Sequence, residues 1–247
     1  MANLVIDIGN TLTKVAVFEH EQLLETGHYA DADTALFDDL LSRYTIDKAI
    51  ISSVKKDTPY WLSVLSTRLT VMHFTATMAS GITNHYLTPH TLGLDRVAAV
   101  NGAVHLYPQK NSLVIDGGTT ITYDWVDAGA NYFGGSISPG LNTRYKALNH
   151  YTQGLPLVDA DAGFGMAYGN STQTAIQSGV QNGLKYELAG FIEAYSQTDK
   201  QLNIILTGGD SDFFDTLLKN SIFAPQINIE PNLVLIGLNA ALLQHND

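Results

Sequence analysis

The chain of 247 residues contains no cysteine. That excludes disulfides, thiolate metal sites and cysteine nucleophiles, and it fits a cytoplasmic protein. Long apolar runs are also missing: no stretch approaches the roughly 18 residues of a membrane span, so no membrane partner is expected. The opening Met1-Ala2-Asn3-Leu4-Val5-Ile6-Asp7 lacks the basic start and long apolar core of a secretory signal. In that setting Asn170-Ser171-Thr172 matches a glycosylation sequon only by chance. Positive charge is scarce, with 13 Lys and Arg against 24 Asp and Glu, for a formal net charge of −11. The densest cationic run is the pair Lys55-Lys56. A nucleic-acid backbone would be repelled, and no nucleic-acid partner is expected. The acidity reads as a solubility device. It does not attract phosphate either, so a phosphate site must be built locally from backbone N–H groups, a cation or both. The eight histidines show neither H-x-x-x-H nor H-E-x-x-H spacing, and none is assigned to a metal.

What is present is a repeat. Val5-Ile6-Asp7-Ile8-Gly9-Asn10-Thr11-Leu12-Thr13 returns as Val114-Ile115-Asp116-Gly117-Gly118-Thr119-Thr120-Ile121-Thr122. Asp7 matches Asp116, Gly9 matches Gly118, and Thr11 and Thr13 match Thr120 and Thr122, all at one offset. The shared pattern D-x-G-x-T-x-T follows two β-branched residues in each copy and divides the chain into comparable halves, 1–110 and 111–247.

Each copy reads as a β-hairpin: strand Leu4–Ile8, turn residues Gly9 and Asn10 suited to positive φ, and strand Thr13–Phe18. The second copy runs through Leu113–Asp116 and Ile121–Val126. Helical periodicity covers Ala35–Tyr44, a segment started by Thr58-Pro59, Asp95–Leu106, Gln173–Tyr195, Phe213–Lys219 and Leu233–Gln244. Further strands are expected at Ala49–Ser52, Val71–Phe74, Leu202–Leu206 and Ile227–Ile229. Strands and helices mixed in this way, with a hairpin opening each half, predict two α/β domains.

A turn rich in Gly and Thr aims N–H groups and hydroxyls at phosphate oxygens, and an Asp ending the strand before it suits hydrated Mg²⁺. One such hairpin is equally an ordinary turn; two in register point to a nucleotide. Leu206-Thr207-Gly208-Gly209-Asp210 adds a strand ending in glycines, read either as a close approach to adenine or ribose or as a strand-to-helix turn capped by Asp210. In Gly93-Leu94-Asp95-Arg96, Asp95 suits a proton acceptor and Arg96 a two-pronged carboxylate grip. A helix cap with a surface ion pair is the other reading of that pair.

The three nucleotide elements, in this order, resemble the phosphate and adenosine motifs of the actin, sugar-kinase and Hsp70 superfamily. That resemblance implies two ribonuclease-H-like, actin-like ATPase domains, each with a mixed sheet, flanking a central nucleotide cleft. Five motifs together resemble one family, the type III pantothenate kinases. They are Asp7-Ile8-Gly9-Asn10-Thr11, Gly93-Leu94-Asp95-Arg96, Asp116-Gly117-Gly118-Thr119, Gly134-Gly135-Ser136-Ile137-Ser138-Pro139-Gly140 and Gly169-Asn170-Ser171-Thr172. All five occur in family order over nearly the whole chain. Thr120 stands where the family often has Ala, Lys14 where a neutral residue is common, and Thr88 where Asn often precedes the Pro.

The family resemblance implies ATP-dependent phosphorylation of pantothenate, the first step of coenzyme A biosynthesis. It implies an ATP loop of Asp7, Ile8, Gly9, Asn10, Thr11, Leu12, Thr13 and Lys14, with Thr119 as a further ATP contact. Asp95 would be the catalytic base. Tyr86, Gly93, Leu94, Asp95, Arg96 and Thr172 would bind pantothenate. Asp116 would hold a monovalent cation, K⁺ or NH₄⁺, with Mg²⁺ on the nucleotide, in a homodimer that builds its site partly at the interface. Thr172 also stands where an N-cap belongs, and Lys14 reads equally as a solvated strand residue. A kinase for another small hydroxy acid or sugar, and a non-catalytic ATP-binding regulator on the same fold, remain as alternatives.

Overall fold

A computed structural model describes residues 1–53, 59–197 and 199–245, which leaves Lys55-Lys56 and the helix start at Thr58 outside the described residues. The chain forms two compact units. Unit 1 comprises residues 1–108, 130–132 and 233–247, and unit 2 comprises 109–129 and 133–232.

Unit 1 opens with β1 (Ala2–Ile8), β2 (Thr13–Glu19), β3 (Gln22–Tyr29), α1 (Thr34–Arg43), β4 (Ile46–Ser53), α2 (Tyr60–Leu65) and β5 (Thr70–His73). Their sheet has the order β3-β2-β1-β4-β5, antiparallel across the first two pairings and parallel across the last two. The central strand β1 is buried along its whole length, which is why it reads as a continuous apolar run instead of an alternation. On one face of the sheet, Leu4, Ile6 and Ile51 pack with Phe37 and Leu40 of α1 and Trp61 of α2. Asp33 caps α1 by accepting from Leu36 N at 3.0 Å. The two-residue strand β6 (Thr83–Asn84) and the helix α3 (Leu94–Leu106) follow, and β6 pairs in parallel with Asn131 and Tyr132.

Unit 2 contains β7 (Ser112–Gly117), β8 (Thr120–Val126), β9 (Asn131–Pro139, belonging here from Phe133 onward), α4 (Leu141–Tyr151), α5 (Thr172–Gln177), a π-helical segment Ser178–Asn182, α6 (Gly183–Ser196), β10 (Asn203–Gly208), α7 (Ser211–Leu218) and β11 (Ile227–Ile229). Its strands run in the order β11-β10-β7-β8-β9. β7 is central, antiparallel to β8 and parallel to β10. The plan of unit 1 is thus repeated: a buried strand, its hairpin partner on one side, a parallel strand on the other. Leu113, Ile115 and Leu206 form the core with Leu184, Leu188 and Ile192 of α6 and Phe214 of α7.

The last helix, α8 (Leu233–Gln244), packs in unit 1 and not with the half that precedes it in sequence, so the structural division departs from 1–110 and 111–247 at this element. α8 is buried nearly all round, from Leu233 through Leu242. It meets α3 where two glycines face each other: a Cβ on Gly237 would overlap the Ala98 carbonyl oxygen and stand 2.7 Å from Gly102 N. The polar groups buried there are satisfied. Asn101 Nδ2 donates to Gly237 O at 2.8 Å, Asn3 Nδ2 donates to Asn239 Oδ1 at 3.0 Å, and Asn239 Nδ2 donates to His20 O at 2.7 Å.

Gly237→Ala is therefore expected to destabilise the protein by about 3 kcal/mol in urea unfolding, the upper range for overpacking. Gly190→Ala, on α6 with nothing within 4 Å of the added carbon, should stabilise it by about 0.5–1 kcal/mol.

Candidate functional site

In unit 1 the turn of the first repeat leaves β1 at its C-terminal end. Asp7 is only 6 % exposed and pairs in register with Lys14 on β2 and Ser52 on β4. Gly9 N donates to Leu12 O at 3.0 Å and closes the loop, from which Asn10, Thr11 and Leu12 project to solvent, while Ile8 and Thr13 stay buried. Neither Gly9 nor Asn10 takes positive φ, contrary to the turn expected. The glycine is needed for space instead: a Cβ at Gly9 would stand 3.1 Å from Leu12 O, tighter than ordinary contact. The Ser52 hydroxyl, fully buried, has no hydrogen-bond partner. A buried orphan hydroxyl in register with an aspartate marks a place where a polar ligand atom or water belongs.

The second group in unit 1 lies at the start of α3. Gly93 is its N-cap, Leu94 its first residue, and Asp95 Oδ1 accepts from Arg96 N at 2.8 Å. A Cβ on Gly93 would overlap Asp95 Oδ1, so this carboxylate position requires glycine. Arg96 is 6 % exposed, which overturns the surface ion-pair reading. Its guanidinium lies over the Tyr86 ring at 5.7 Å, a cation–π contact, and Tyr86 N is fixed by Asn84 Oδ1 at 2.9 Å. Tyr86, Gly93, Leu94, Asp95 and Arg96 are thereby brought into one neighbourhood.

In unit 2 the ends of β7 and β10 come together. Asp116 pairs in register with Thr207 on β10 and Thr122 on β8. Gly208 has φ +82°, and a Cβ there would overlap Asp116 Oδ1. Asp210 N donates to Gly117 O at 3.1 Å. Asp210 occupies the N-cap position of α7, yet its side chain makes no cap bond, contrary to the capping reading. Its Oδ2 is buried without a partner, as is the hydroxyl of Thr207, itself 1 % exposed. Burial alone pushes the Asp210 carboxyl above the usual range.

These oxygens fit a hard cation. Among the described residues no group of three or more His, Cys, Asp or Glu could hold a metal. Two carboxylates with a hydroxyl suit a cation that keeps part of its water and not a closed protein cage. Thr207 and Asp210 belong to the Leu206–Asp210 segment, which the sequence offered either as a close approach to adenine or ribose or as a turn capped by Asp210.

Thr119 is exposed at the turn between β7 and β8. Its carbonyl accepts from Gly140 N at 3.1 Å and from the Thr143 hydroxyl at 2.7 Å. Thr172 is the first residue of α5 and exposed; the cap is Ser171, in a reciprocal box with Thr174, so Thr172's hydroxyl is not the capping group. The loop before it is pinned to the π segment. Gln181 Oε1 accepts from Tyr145 Oη at 2.8 Å and from Asp161 N at 2.9 Å, and Asn182 Nδ2 donates to Met166 O at 3.0 Å. Two clefts of unit 2, about 280 and 530 Å³, open among residues 109–111, 193–203 and 222–228, and no predicted site residue lines them. The larger lies at the N-terminal ends of β7 and β10, away from the Asp116 end; ligands of parallel-stranded sheets bind at the carboxyl ends.

Solved structures share this fold class, an α/β arrangement built on two mixed sheets. The activator of 2-hydroxyisocaproyl-CoA dehydratase from Clostridium difficile, with bound ADPNP, matches with a TM-score of 0.60 over 100 % of this chain and 97 % of that one, at 11 % identity. A conserved putative Baf family transcriptional activator from Campylobacter jejuni matches with a TM-score of 0.61 over 98 % of each chain, at 18 % identity. The sequence narrows the class. The family profile described as type III pantothenate kinase matches residues 3–194. A type III pantothenate kinase from Phocaeicola vulgatus is 42 % identical over 248 residues, covering 99 % of both chains. This chain belongs to the type III pantothenate kinase family.

Asp210→Asn removes a carboxylate that the folded state holds in its less favoured, charged form. A carboxyl raised above its ordinary 3.8 costs the fold stability at pH 7, and that cost fades as pH falls through the raised value. The variant should melt at a higher temperature than the parent at pH 7, with the difference closing towards pH 3 in thermal scans.

Proposed function

We propose that this chain phosphorylates pantothenate with ATP, giving 4′-phosphopantothenate and ADP, the first step of coenzyme A biosynthesis. Family membership supports the reaction. The observation that carries its chemistry here is the start of α3, where a carboxylate, a buried guanidinium and an aromatic ring converge. Asp95 takes the proton of the primary hydroxyl. The hydroxyl oxygen bonds to the γ-phosphorus of ATP as the bond to the β,γ-bridging oxygen breaks, and ADP leaves. Arg96, held by the Tyr86 ring, grips the pantothenate carboxylate with two parallel hydrogen bonds. Gly93 and Leu94 shape that pocket, and the exposed Thr172 hydroxyl binds the same substrate.

Asp7 through Lys14 form one phosphate loop, with Lys14 facing Asp7 across the hairpin, and Thr119 contacts ATP from the other repeat. Asp116 binds the monovalent cation, K⁺ or NH₄⁺, assisted by the orphan oxygens of Thr207 and Asp210, and Mg²⁺ accompanies the nucleotide. Bound cations supply the positive charge that phosphoryl transfer needs and that a protein of net charge −11 lacks. The working form is a cytoplasmic homodimer. No helix among the described residues is long and apolar enough to cross a membrane.

The purified protein, given ATP, Mg²⁺ and pantothenate, should yield a product heavier by one phosphoryl group in mass spectrometry, and faster in K⁺ than in Na⁺. Asp95→Asn should lower kcat by about 10²- to 10⁴-fold while ATP still binds; near-normal turnover would remove Asp95 from the mechanism. Arg96→Lys should raise the pantothenate KM, because a point charge does not reproduce the planar fork. An unchanged KM would end the carboxylate assignment.

A further inference from the structure

Some hydroxyls on helices of this protein serve their own helix: Ser63 bonds Tyr60 O and Thr216 bonds Asp212 O, each about one turn back. Thr143, in the first turn of α4, does otherwise. Its hydroxyl crosses to the carbonyl of Thr119 at 2.7 Å, and Gly140 N meets the same oxygen at 3.1 Å. The approach is close: a Cβ on Gly140 would overlap the Gly118 carbonyl and stand 2.8 Å from Thr119 O. The start of α4 is anchored in turn. Arg144 Nε donates to Pro139 O at 2.8 Å, and Arg144 Nη2 donates to Ser138 Oγ at 2.9 Å and to Glu187 Oε2 at 2.6 Å. Glu187 Oε1 accepts from Tyr123 Oη at 2.9 Å, on the strand that leaves the Thr119 turn. Burial pushes the Glu187 carboxyl up, but its bonds from Arg144, Ser138 and Tyr123 outweigh that and hold it ionised. The turn, β8, β9, α4 and α6 form one closed circuit of hydrogen bonds.

We propose that Thr143 is a positioning residue for ATP, locking the peptide between Thr119 and Thr120 in the orientation that admits phosphate. This rests on the reading of Thr119 as an ATP contact. A trans peptide is planar, so its carbonyl and its N–H point in opposite directions. With the Thr119 oxygen held by α4, the Thr120 N–H is turned away from α4. Were the peptide to turn over, a carbonyl oxygen would take the direction of that N–H, and phosphate oxygens would meet an acceptor where a donor had been. The turn's own restraint is slight: Gly118 N donates to Thr120 O at 3.0 Å, but a Cβ at Gly118 would meet nothing within 4 Å, and glycine has the freest backbone of any residue. The tether from α4 supplies the missing constraint.

The test uses the full chain and three variants. Thr143→Val keeps the branched shape and drops the donor, Thr143→Ala drops it without branching, and Thr143→Ser keeps it. Affinity for a non-hydrolysable ATP analogue with Mg²⁺ is measured by calorimetry, and KM for ATP and for pantothenate by product formation. Losing one hydrogen bond should weaken analogue binding and raise the ATP KM together by about five- to tenfold in the Val and Ala variants. The pantothenate KM should move less than twofold, and Ser should restore the parent values. Unchanged analogue affinity in the folded Val or Ala variant overturns the proposal, as does an equal rise in both KM values or a folded Ser variant that fails to rescue. If the parent binds the analogue and Val weakens it, yet no phosphopantothenate forms, the positioning role stands and the substrate assignment falls.

Discussion

A strand bonded on both edges and buried on both faces has room for charge only at its end. β1 and β7 are such strands, and in each an apolar stretch, Leu4–Ile6 or Leu113–Ile115, leads to an aspartate just before the strand's end. On one side each central strand has an antiparallel hairpin partner, on the other a parallel strand reached by a longer connection. At that end the hairpin turns back, and in unit 2 the parallel neighbour β10 leads through Gly209 and Asp210 into α7. Backbone and side-chain polar groups then gather where apolar packing stops. Asp7 with Ser52, and Asp116 with Thr207, are two instances of one geometric consequence.

The repeat made this plan legible. A shared D-x-G-x-T-x-T after β-branched residues marks two hairpins and their central strands, and the five motifs mark the family. Other elements were hidden for identifiable reasons. β3 alternates between exposed and half-buried residues with no fully buried position, so its apolar signal is faint. β9 contains Gly134 and Gly135, which read as a loop motif; in the sheet, a Cβ at Gly135 would overlap the Tyr123 carbonyl. α8 is apolar on all sides, and such a helix carries no mark of which sheet it covers, so chain order misassigned it.

At the site itself, spacing located the residues and packing decided between readings. Asp95 and Arg96 looked like a surface pair until burial placed the guanidinium against Tyr86. Ser171 took the cap that Thr172 might have filled, which one-residue register in sequence does not resolve. Asp210 sits where a cap belongs and does not cap, a fact visible only from its orphan oxygen.

The π segment at Ser178–Asn182 also sets a mechanical phase. A π turn holds one residue more than the α-helix around it, and every side chain beyond it is rotated by that surplus. Ile176, Val180, Leu184, Leu188 and Ile192 lie before, within and after it and all reach the same core, while Gln181 and Asn182 hold the 159–167 loop. A spacing of four drifts around an α-helix of about 3.6 residues per turn, and the wider turn takes part of that drift back, so one rod keeps a single apolar bearing. Shortening it by one position would turn Leu184, Leu188 and Ile192 away from the core that Ile176 and Val180 face, while leaving the composition of the helix nearly intact.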